Sequence, residues 1–220
     1  MISIAIDGPS GAGKSSLAKA LSSALGYIHL DTGAIYRTLA LHVISSGVDP
    51  KDSAAVTALL PDTDIKIEYV NGAQRMLLCG EDVTGCIRTS EISAGASAVS
   101  AIPAVREFLL ELQRDFARNN NVIMDGRDIG TVILPNATVK FFMTANEDAR
   151  AERRFAELSE SGEKTSVEEV KRALSSRDEN DKTRKTAPAI PADDAVMLDN
   201  SGKFEDTLNT ALSIIRSRVK

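Results

Sequence analysis

The sequence predicts an α/β fold, in which a five-stranded parallel sheet is flanked by helices and a small antiparallel β subdomain is inserted. Three observations indicate this class. Short apolar runs alternate with longer segments of helical periodicity, and a glycine-rich loop joins the first such pair. Residues 62–90 instead show the two-residue alternation of a half-exposed hairpin. The 220 residues suit one domain over 1–220.

The first strand is the apolar run Ile2–Ile6, and the segment Gly8–Ser15 after it has the spacing of a P-loop. Glycines let backbone N–H groups approach a phosphate, and the next helix directs its positive N-terminal end to the same point. Lys14 is expected to reach the β- and γ-phosphates, and the Ser15 hydroxyl to contact Mg²⁺. The residues predicted to bind the triphosphate are Gly8, Pro9, Ser10, Gly11, Ala12, Gly13, Lys14, Ser15 and Ser16.

The next elements follow from changes in periodicity. Helical spacing continues to Gly26, a residue type that commonly ends helices. A short strand over 27–30 is expected to lead into a helix over 32–46, and a weaker helix over 52–60.

The inserted β segment, residues 62–90, interrupts this alternation. Ile65–Tyr69 alternates apolar and polar side chains, Asn71-Gly72 has the composition of a hairpin turn, and Arg75–Cys79 supplies a returning strand. We expect the insertion to bind or cover a ligand; the alternative is a surface hairpin without function.

The second half of the chain returns to the α/β pattern. Ser166 and Glu169 form a capping box at the start of one helix. The predicted elements are helices over 91–100, 103–118, from 146, 166–179 and 204–219, and strands over 122–125, 139–143 and 195–198.

Composition excludes several classes of protein. The formal net charge of −5 gives no support to nucleic-acid or membrane binding. No apolar run reaches the length of a membrane span, and Met1 leads into the first strand without a secretion signal. We therefore expect a cytoplasmic protein, and nothing in the sequence requires more than a monomer.

The segment Asp125-Gly126-Arg127-Asp128 follows a buried strand. In P-loop enzymes a carboxylate at such a strand end holds Mg²⁺ directly or through water, which makes Asp125 the second predicted metal residue. Open α/β sheets bind ligands at the carboxyl ends of their strands, so Arg127 and Asp128 are predicted to lie in the site. The alternative is a solvated turn with incidental charges.

Arginines recur where the chain is expected to return to this edge of the sheet. Three stand at helical spacing on one face, and two more flank Asp181 on another. A guanidinium binds phosphate oxygens bidentately, although a single arginine is more commonly an exposed ion pair. The set comprises Arg37, Arg106, Arg127, Arg150, Arg153, Arg154, Arg177 and Arg184.

Other catalytic patterns do not occur in the sequence. It has no Asn-Lys-x-Asp guanine motif and no serine–histidine or cysteine–histidine arrangement, and His29 and His42 are interpreted as structural or surface residues. Phosphoryl transfer needs none of these, because positioning, a metal ion and cationic side chains serve its transition state.

Beyond the P-loop, several motifs are specific in combination. Through them the chain resembles the bacterial cytidylate kinase family nearly end to end. The motifs are Asp7–Lys14, Asp31–Arg37, Gly80–Thr84 with Ile87–Thr89, Val105–Glu107, Asp125–Asp128, and Arg177-Asp178 with Asp181 and Arg184.

The resemblance implies a P-loop kinase fold with a five-stranded parallel sheet. Residues 62–90 would be the inserted β part of the nucleoside-monophosphate-binding subdomain, and residues 150–185 a helical lid. It further implies ATP-dependent phosphorylation of CMP and dCMP with Mg²⁺ as cofactor. The partners would be these small molecules, not nucleic acid.

The resemblance also assigns roles to residues. Arg37, Arg127 and Arg184 would hold the acceptor phosphate, while Ser97, Arg106 and Asp128 would read the base. A carboxylate suits the amino group of cytosine and opposes O4 of uracil. The implied catalytic residues are Lys14, Arg127, Arg153, Arg154 and Arg184; the implied CMP-binding residues are Thr32, Tyr36, Arg37, Ser97, Arg106, Gly126, Arg127, Asp128, Asp181 and Arg184.

Two alternative functions remain open from the sequence. One is a P-loop kinase for another small acceptor, such as UMP or a sugar acid. The other is a nucleotide-dependent switch that hydrolyses slowly, against which the acceptor-like loops 31–37 and 125–128 argue.

Overall fold

The computed structural model describes residues 1–70, 72–160 and 162–219 and confirms the α/β class. A 3₁₀ turn (Leu60–Asp62) and a π-helical turn (Ile129–Ile133) supplement the regular elements. In chain order these are β1 (Ser3–Asp7), α1 (Lys14–Leu25), β2 (Ile28–Asp31), α2 (Thr32–Ser45), α3 (Ser53–Leu59), β3 (Ile65–Val70), β4 (Ala73–Leu78), β5 (Glu81–Asp82), α4 (Ser90–Val99), α5 (Pro103–Asn119), β6 (Val122–Asp125), β7 (Val139–Thr144), α6 (Glu147–Glu160), α7 (Val167–Thr183), β8 (Val196–Asp199) and α8 (Phe204–Arg218).

The main sheet has five parallel strands in the order β2-β6-β1-β7-β8. The central strand β1 pairs with β6, where Ile6 lies opposite Asp125, and with β7, where Ile4 lies opposite Val139. These strands are apolar and buried because helices cover both faces of a parallel sheet. The pairing places the loop after β1 beside the loop after β6, and Gly126 N donates to Ile6 O at 3.0 Å.

The chain divides into two compact units. The first, here called the P-loop unit, comprises Met1–His29 and Asn120–Lys220; the second, the insert unit, comprises Leu30–Asn119. In the P-loop unit, α1 and α8 pack on the sheet through Leu17, Leu21, Ala211 and Ile215. A smaller apolar cluster joins α6 to α7. The insert unit contains α2 to α5 and the antiparallel sheet β3-β4-β5.

Several local predictions agree with the structure. Gly26 ends α1 in the left-handed conformation, with φ 70°, and Pro103 begins α5. The Ser166–Glu169 capping box is formed at the start of α7. In the predicted hairpin, β3 and β4 pair with Val70 opposite Ala73, while Asn71 of the turn lies outside the described residues.

The structure differs from the predictions in three places. Helix α7 continues to Thr183 instead of ending near Glu179, which keeps Arg177 and Asp181 on one helix. The two-residue strand β5 and the π-helical turn over Ile129–Ile133 were not predicted, because neither is long enough to produce a periodic pattern. Among the described helices, none has both the length and the apolar character that crossing a bilayer requires.

Candidate active site

The P-loop joins β1 to α1, and its glycines are required by the protein that surrounds it. Gly8 has φ +142°, and a β-carbon there would lie 2.0 Å from the carbonyl oxygen of Met143 in β7. Gly13 has φ +95°, and its β-carbon would lie 2.5 Å from Asn200 Nδ2. A side chain at Gly8 would displace the backbone of β7, and one at Gly13 would displace the side chain of Asn200. Either would also crowd a bound phosphate.

Asn200, which directly follows β8, is hydrogen-bonded to the backbone of the P-loop. Its buried amide Nδ2 donates to Ala12 O at 2.9 Å, and its Oδ1 accepts from Thr207 Oγ1 at 3.2 Å. Sequence reasoning missed Asn200. The only signal was the place of this polar residue, two positions after the predicted strand 195–198.

Lys14 is buried, with 6% of its surface exposed, and its Nζ donates to Pro9 O at 2.6 Å. Burial, followed by repulsion from Arg127, lowers the pKa of Lys14 from 10.5 to about 7, although Asp125 acts in the opposite direction. The amine is therefore only partly protonated at neutral pH. A bound phosphate would restore its charge.

This lowered pKa predicts proton uptake when nucleotide binds. Lys14 is mostly neutral at pH 8 and becomes protonated beside the phosphates, so about one proton is taken up per nucleotide and affinity falls as pH rises above 7. Calorimetry of ADP binding at pH 8, in buffers with different ionisation enthalpies, measures this uptake. Lys14→Met should bind without it. Equal binding heats for the wild-type protein in all buffers would contradict the prediction.

Asp125, at the end of β6, contacts two other side chains of the P-loop unit. Its Oδ2 accepts from Ser15 Oγ at 2.7 Å, and its Oδ1 lies 2.6 Å from Nε2 of His29 in β2. Burial raises the pKa of Asp125, but the hydrogen bond and charge of His29, the hydrogen bond from Ser15 and the charge of Lys14 together outweigh burial, and the net direction is downward. His29, interpreted from the sequence as structural or surface, is a buried partner of a predicted metal residue.

The oxygens of Ser15 and Asp125 fit a magnesium ion. Mg²⁺ prefers hard oxygen ligands and commonly takes only one or two from the protein, with phosphates and waters completing the shell. Ser15 directs its hydrogen to the carboxylate and so keeps lone pairs for a cation. Among the described residues there is no cluster of three or more acidic, histidine or cysteine side chains that could hold a metal alone.

Asp7, at the end of β1, holds the loop that carries Arg127 and Asp128. Its two carboxylate oxygens accept from Ile129 N and Gly130 N, each at 2.7 Å. Burial raises the pKa of Asp7 to about 6, against the effect of these hydrogen bonds. Sequence reasoning gave Asp7 a place in a motif but no role. A carboxylate directly before a P-loop was the available signal.

Asp181 and Asp128 form ion pairs with arginines of the P-loop unit. Arg127 Nε lies 2.9 Å from Asp181 Oδ2, and Arg184 bridges the two carboxylates, with Nη1 3.7 Å from Asp181 Oδ1 and Nη2 3.4 Å from Asp128 Oδ1. Arg177 Nε is 4.0 Å from Asp181. Three guanidinium groups thus face two carboxylates, and this excess of positive charge suits a phosphate dianion.

The three arginines of α6 have different surroundings. Arg150 Nη1 donates to Ser10 O at 3.1 Å and pairs with Asp178, whose Oδ1 accepts from Ser10 N at 3.0 Å. Arg153 Nη2 donates to Asn200 O at 2.7 Å, and its buried Nη1 has no hydrogen-bond partner among the described residues. Arg154 instead pairs with Glu157 on its own helix at 2.9 Å. The catalytic roles of Arg153 and Arg154 stay predictions.

In the insert unit, Asp31 holds Arg37. Asp31 caps α2 by accepting from Ala34 N at 3.0 Å, and its Oδ2 lies 2.8 Å from Arg37 Nη2. A β-carbon at Gly33 would lie 3.0 Å from both Asp31 Oδ1 and Arg37 Nη1, which explains the glycine in this motif. Arg37 Nε is buried and, within the described chain, lacks a hydrogen-bond partner. It is therefore free to donate to an anion.

The other predicted CMP residues of the insert unit lie on α2, α4 and α5. The Arg106 guanidinium stacks over the Tyr36 ring, 5.5 Å from its centroid, and Nη1 donates to Ser100 O at 3.2 Å. Thr32 is the buried first residue of α2, and Ser97 is half-buried on α4. Gly126, Arg127, Asp128, Asp181 and Arg184 belong to the P-loop unit.

Comparisons with known proteins identify the family of this chain. A family model described as "Cytidylate kinase" matches residues 4–217. The cytidylate kinase of Caldicellulosiruptor bescii is 46% identical over 220 residues, which are 100% of this chain and 97% of the relative; that of Geobacter sulfurreducens is 48% identical over 216 residues, 98% and 93%. A crystal structure of an uncharacterized protein from Eubacterium ventriosum shares the fold, with a TM-score of 0.55, 12% identity and 99% coverage of both chains. The chain belongs to the cytidylate kinase family.

Proposed function

We propose that this protein transfers the γ-phosphoryl group of ATP to CMP, giving CDP and ADP, and that it also accepts dCMP. The family and the names of the similar proteins support the reaction. The observation that carries it is the pairing of β1 with β6, because it sets the P-loop beside the Asp125–Asp128 loop. The P-loop, which would bind the phosphates of ATP, thereby lies next to the loop that carries Arg127, which would bind the phosphate of CMP. Both loops belong to the P-loop unit.

On the donor side, the P-loop amides and Lys14 would bind the β- and γ-phosphates of ATP. Ser15 and Asp125 would hold Mg²⁺, which neutralises negative charge on the phosphates when it is bound. Arg150 and Arg153 lie on α6 in the proposed lid, residues 150–185. Arg150 contacts Ser10 of the P-loop, and Arg153 contacts Asn200, which is hydrogen-bonded to the P-loop. Closure of this lid would exclude water and suppress ATP hydrolysis.

On the acceptor side, Arg127, Arg184 and Arg37 would bind the CMP phosphate. A phosphomonoester is already mostly dianionic at neutral pH, so its oxygen attacks without a strong base. The protein has to place this oxygen in line with the γ-phosphate and balance the charge with cations.

Asp128, Arg106 and Ser97 would read cytosine, with Thr32, Tyr36 and Asp181 lining the site. The β segment 62–90 would belong to the CMP-binding subdomain. A monomeric, cytoplasmic enzyme is part of the same proposal.

A coupled assay of ADP release with CMP, dCMP, UMP, AMP and GMP tests this function. The largest values of kcat/KM are expected with the two cytosine nucleotides, CMP and dCMP. Absence of turnover with both cytosine nucleotides would contradict the proposal. Turnover only with UMP, or only with a sugar acid added to this panel, would support a different acceptor. Hydrolysis that needs no acceptor would support a switch.

A further inference from the structure

A buried histidine lies in hydrogen-bond contact with Asp125, the carboxylate that is expected to help bind the metal ion. His29 has 7% of its surface exposed, and its Nε2 lies 2.6 Å from Asp125 Oδ1. The other oxygen, Oδ2, accepts from Ser15 Oγ at 2.7 Å. These three side chains form a line of hydrogen bonds from β2 through β6 to the first turn of α1, entirely within the P-loop unit.

The hydrogens of this line have defined positions. The pKa of Asp125 is lowered, so the carboxylate is ionised at neutral pH and can only accept. His29 Nε2 and Ser15 Oγ therefore both donate to it. Because the Ser15 hydrogen is directed to Asp125, the lone pairs of Oγ are left for a cation, and Ser15 is exposed. The direction of these lone pairs depends on the plane of the carboxylate.

Two hydrogen bonds fix that plane. The terminal torsion of an aspartate is broad and roughly two-fold, so the side chain alone does not select one orientation. His29 holds Oδ1 and leaves Oδ2 for Ser15. Without the His29 donor, the buried carboxylate would lose the interaction that chiefly lowers its pKa and would be free to rotate away from Ser15.

We propose that His29 is a positioning residue for the Mg²⁺–nucleotide complex, holding the Asp125 carboxylate where it receives the Ser15 hydroxyl. This inference rests on the proposed ATP-dependent function. It predicts that His29 selectively strengthens the binding of metal-bound nucleotide. A residue that served only packing would affect the binding of metal-bound and metal-free nucleotide equally.

The test compares the affinity of the β,γ-imido analogue of ATP by calorimetry with Mg²⁺ and with EDTA. Partners of metal ligands change metal affinity by about 10- to 100-fold when they are removed, so His29→Leu is expected to reduce the Mg²⁺-dependent gain in affinity by about tenfold or more. Affinity in EDTA should not change. His29→Gln, whose terminal amide can donate at a similar reach, should keep most of the gain, and His29→Asn, whose amide is shorter, should not.

His42→Leu is the matched control, because His42 is the other histidine of the chain and lies in the insert unit. If His29→Leu does not fold, the glutamine and asparagine variants provide the same comparison. The inference would be overturned if His29→Leu or His29→Asn showed the same Mg²⁺-dependent gain in affinity as the wild-type protein. It would also be overturned if these variants lost equal affinity with Mg²⁺ and with EDTA. Either result would leave the proposed function intact. No Mg²⁺-dependent gain in the wild-type protein would instead contradict the proposed metal site, and the inference with it.

Discussion

Lys14→Ala is expected to lower kcat/KM for CMP phosphorylation by at least about 10²- to 10³-fold, the scale of losing one preorganised charge contact to a transition state. Lys14 is the P-loop cation that would follow the γ-phosphate as its bond to the β-phosphate breaks. The Lys14 amine is already held in place, since Nζ donates to Pro9 O at 2.6 Å.

The same substitution should leave the fold intact. The pKa of Lys14 is lowered to about 7 by burial, so the unfolded chain binds this proton more tightly than the folded one. The free energy of unfolding of the wild-type protein therefore rises with pH between about 7 and 10.5. Below this range the amine is charged in the folded protein, and burial of that charge destabilises the fold. Alanine removes this cost, so the melting temperature at pH 7 should be equal or higher.

Lys19→Ala is the matched control for this prediction, because Lys19 lies exposed on the same helix. Steady-state ADP release and thermal unfolding of the two variants and the wild-type protein provide the comparison. Retained activity in Lys14→Ala would remove Lys14 from its proposed role. Loss of activity together with a large fall in melting temperature would show that the residue is structural.

Asp128→Asn is expected to lower the preference for CMP over UMP by about 10- to 100-fold, the range of one good base contact. The Asp128 carboxylate can accept from the amino group of cytosine but opposes the O4 acceptor of uracil. An asparagine amide can rotate to donate to O4, so the buried mismatch that rejects UMP disappears. Asp128 is buried, which makes such a mismatch costly.

The ratio of kcat/KM for CMP to that for UMP is the measurement, since a partial folding defect lowers both values and cancels. Asp193→Asn serves as a control at an exposed aspartate of the same unit. Arg184 lies 3.4 Å from Asp128, so some loss of kcat/KM with both substrates is expected in addition. An unchanged ratio would mean that the base is read elsewhere.

Much of the fold could be predicted because its signals are local. The P-loop spacing, the glycine that ends α1, the capping box of α7 and the apolar runs of β6 and β7 each depend on neighbours within a few residues. The family resemblance likewise rests on short motifs. The elements without such signals were missed, namely β5 and the π-helical turn after Asp128.

The sequence by itself determined the α/β class, the P-loop and the strand that ends in Asp125. Only the tertiary structure decided what supports these residues. His29 meets Asp125 across 96 residues, Asp7 meets Ile129 across 122, and Asn200 meets Ala12 across 188. Such contacts depend on strand order and register, which bring distant side chains to one edge of the sheet. Periodicity specifies which face of an element is buried, but it does not specify the neighbour that each buried polar atom will find.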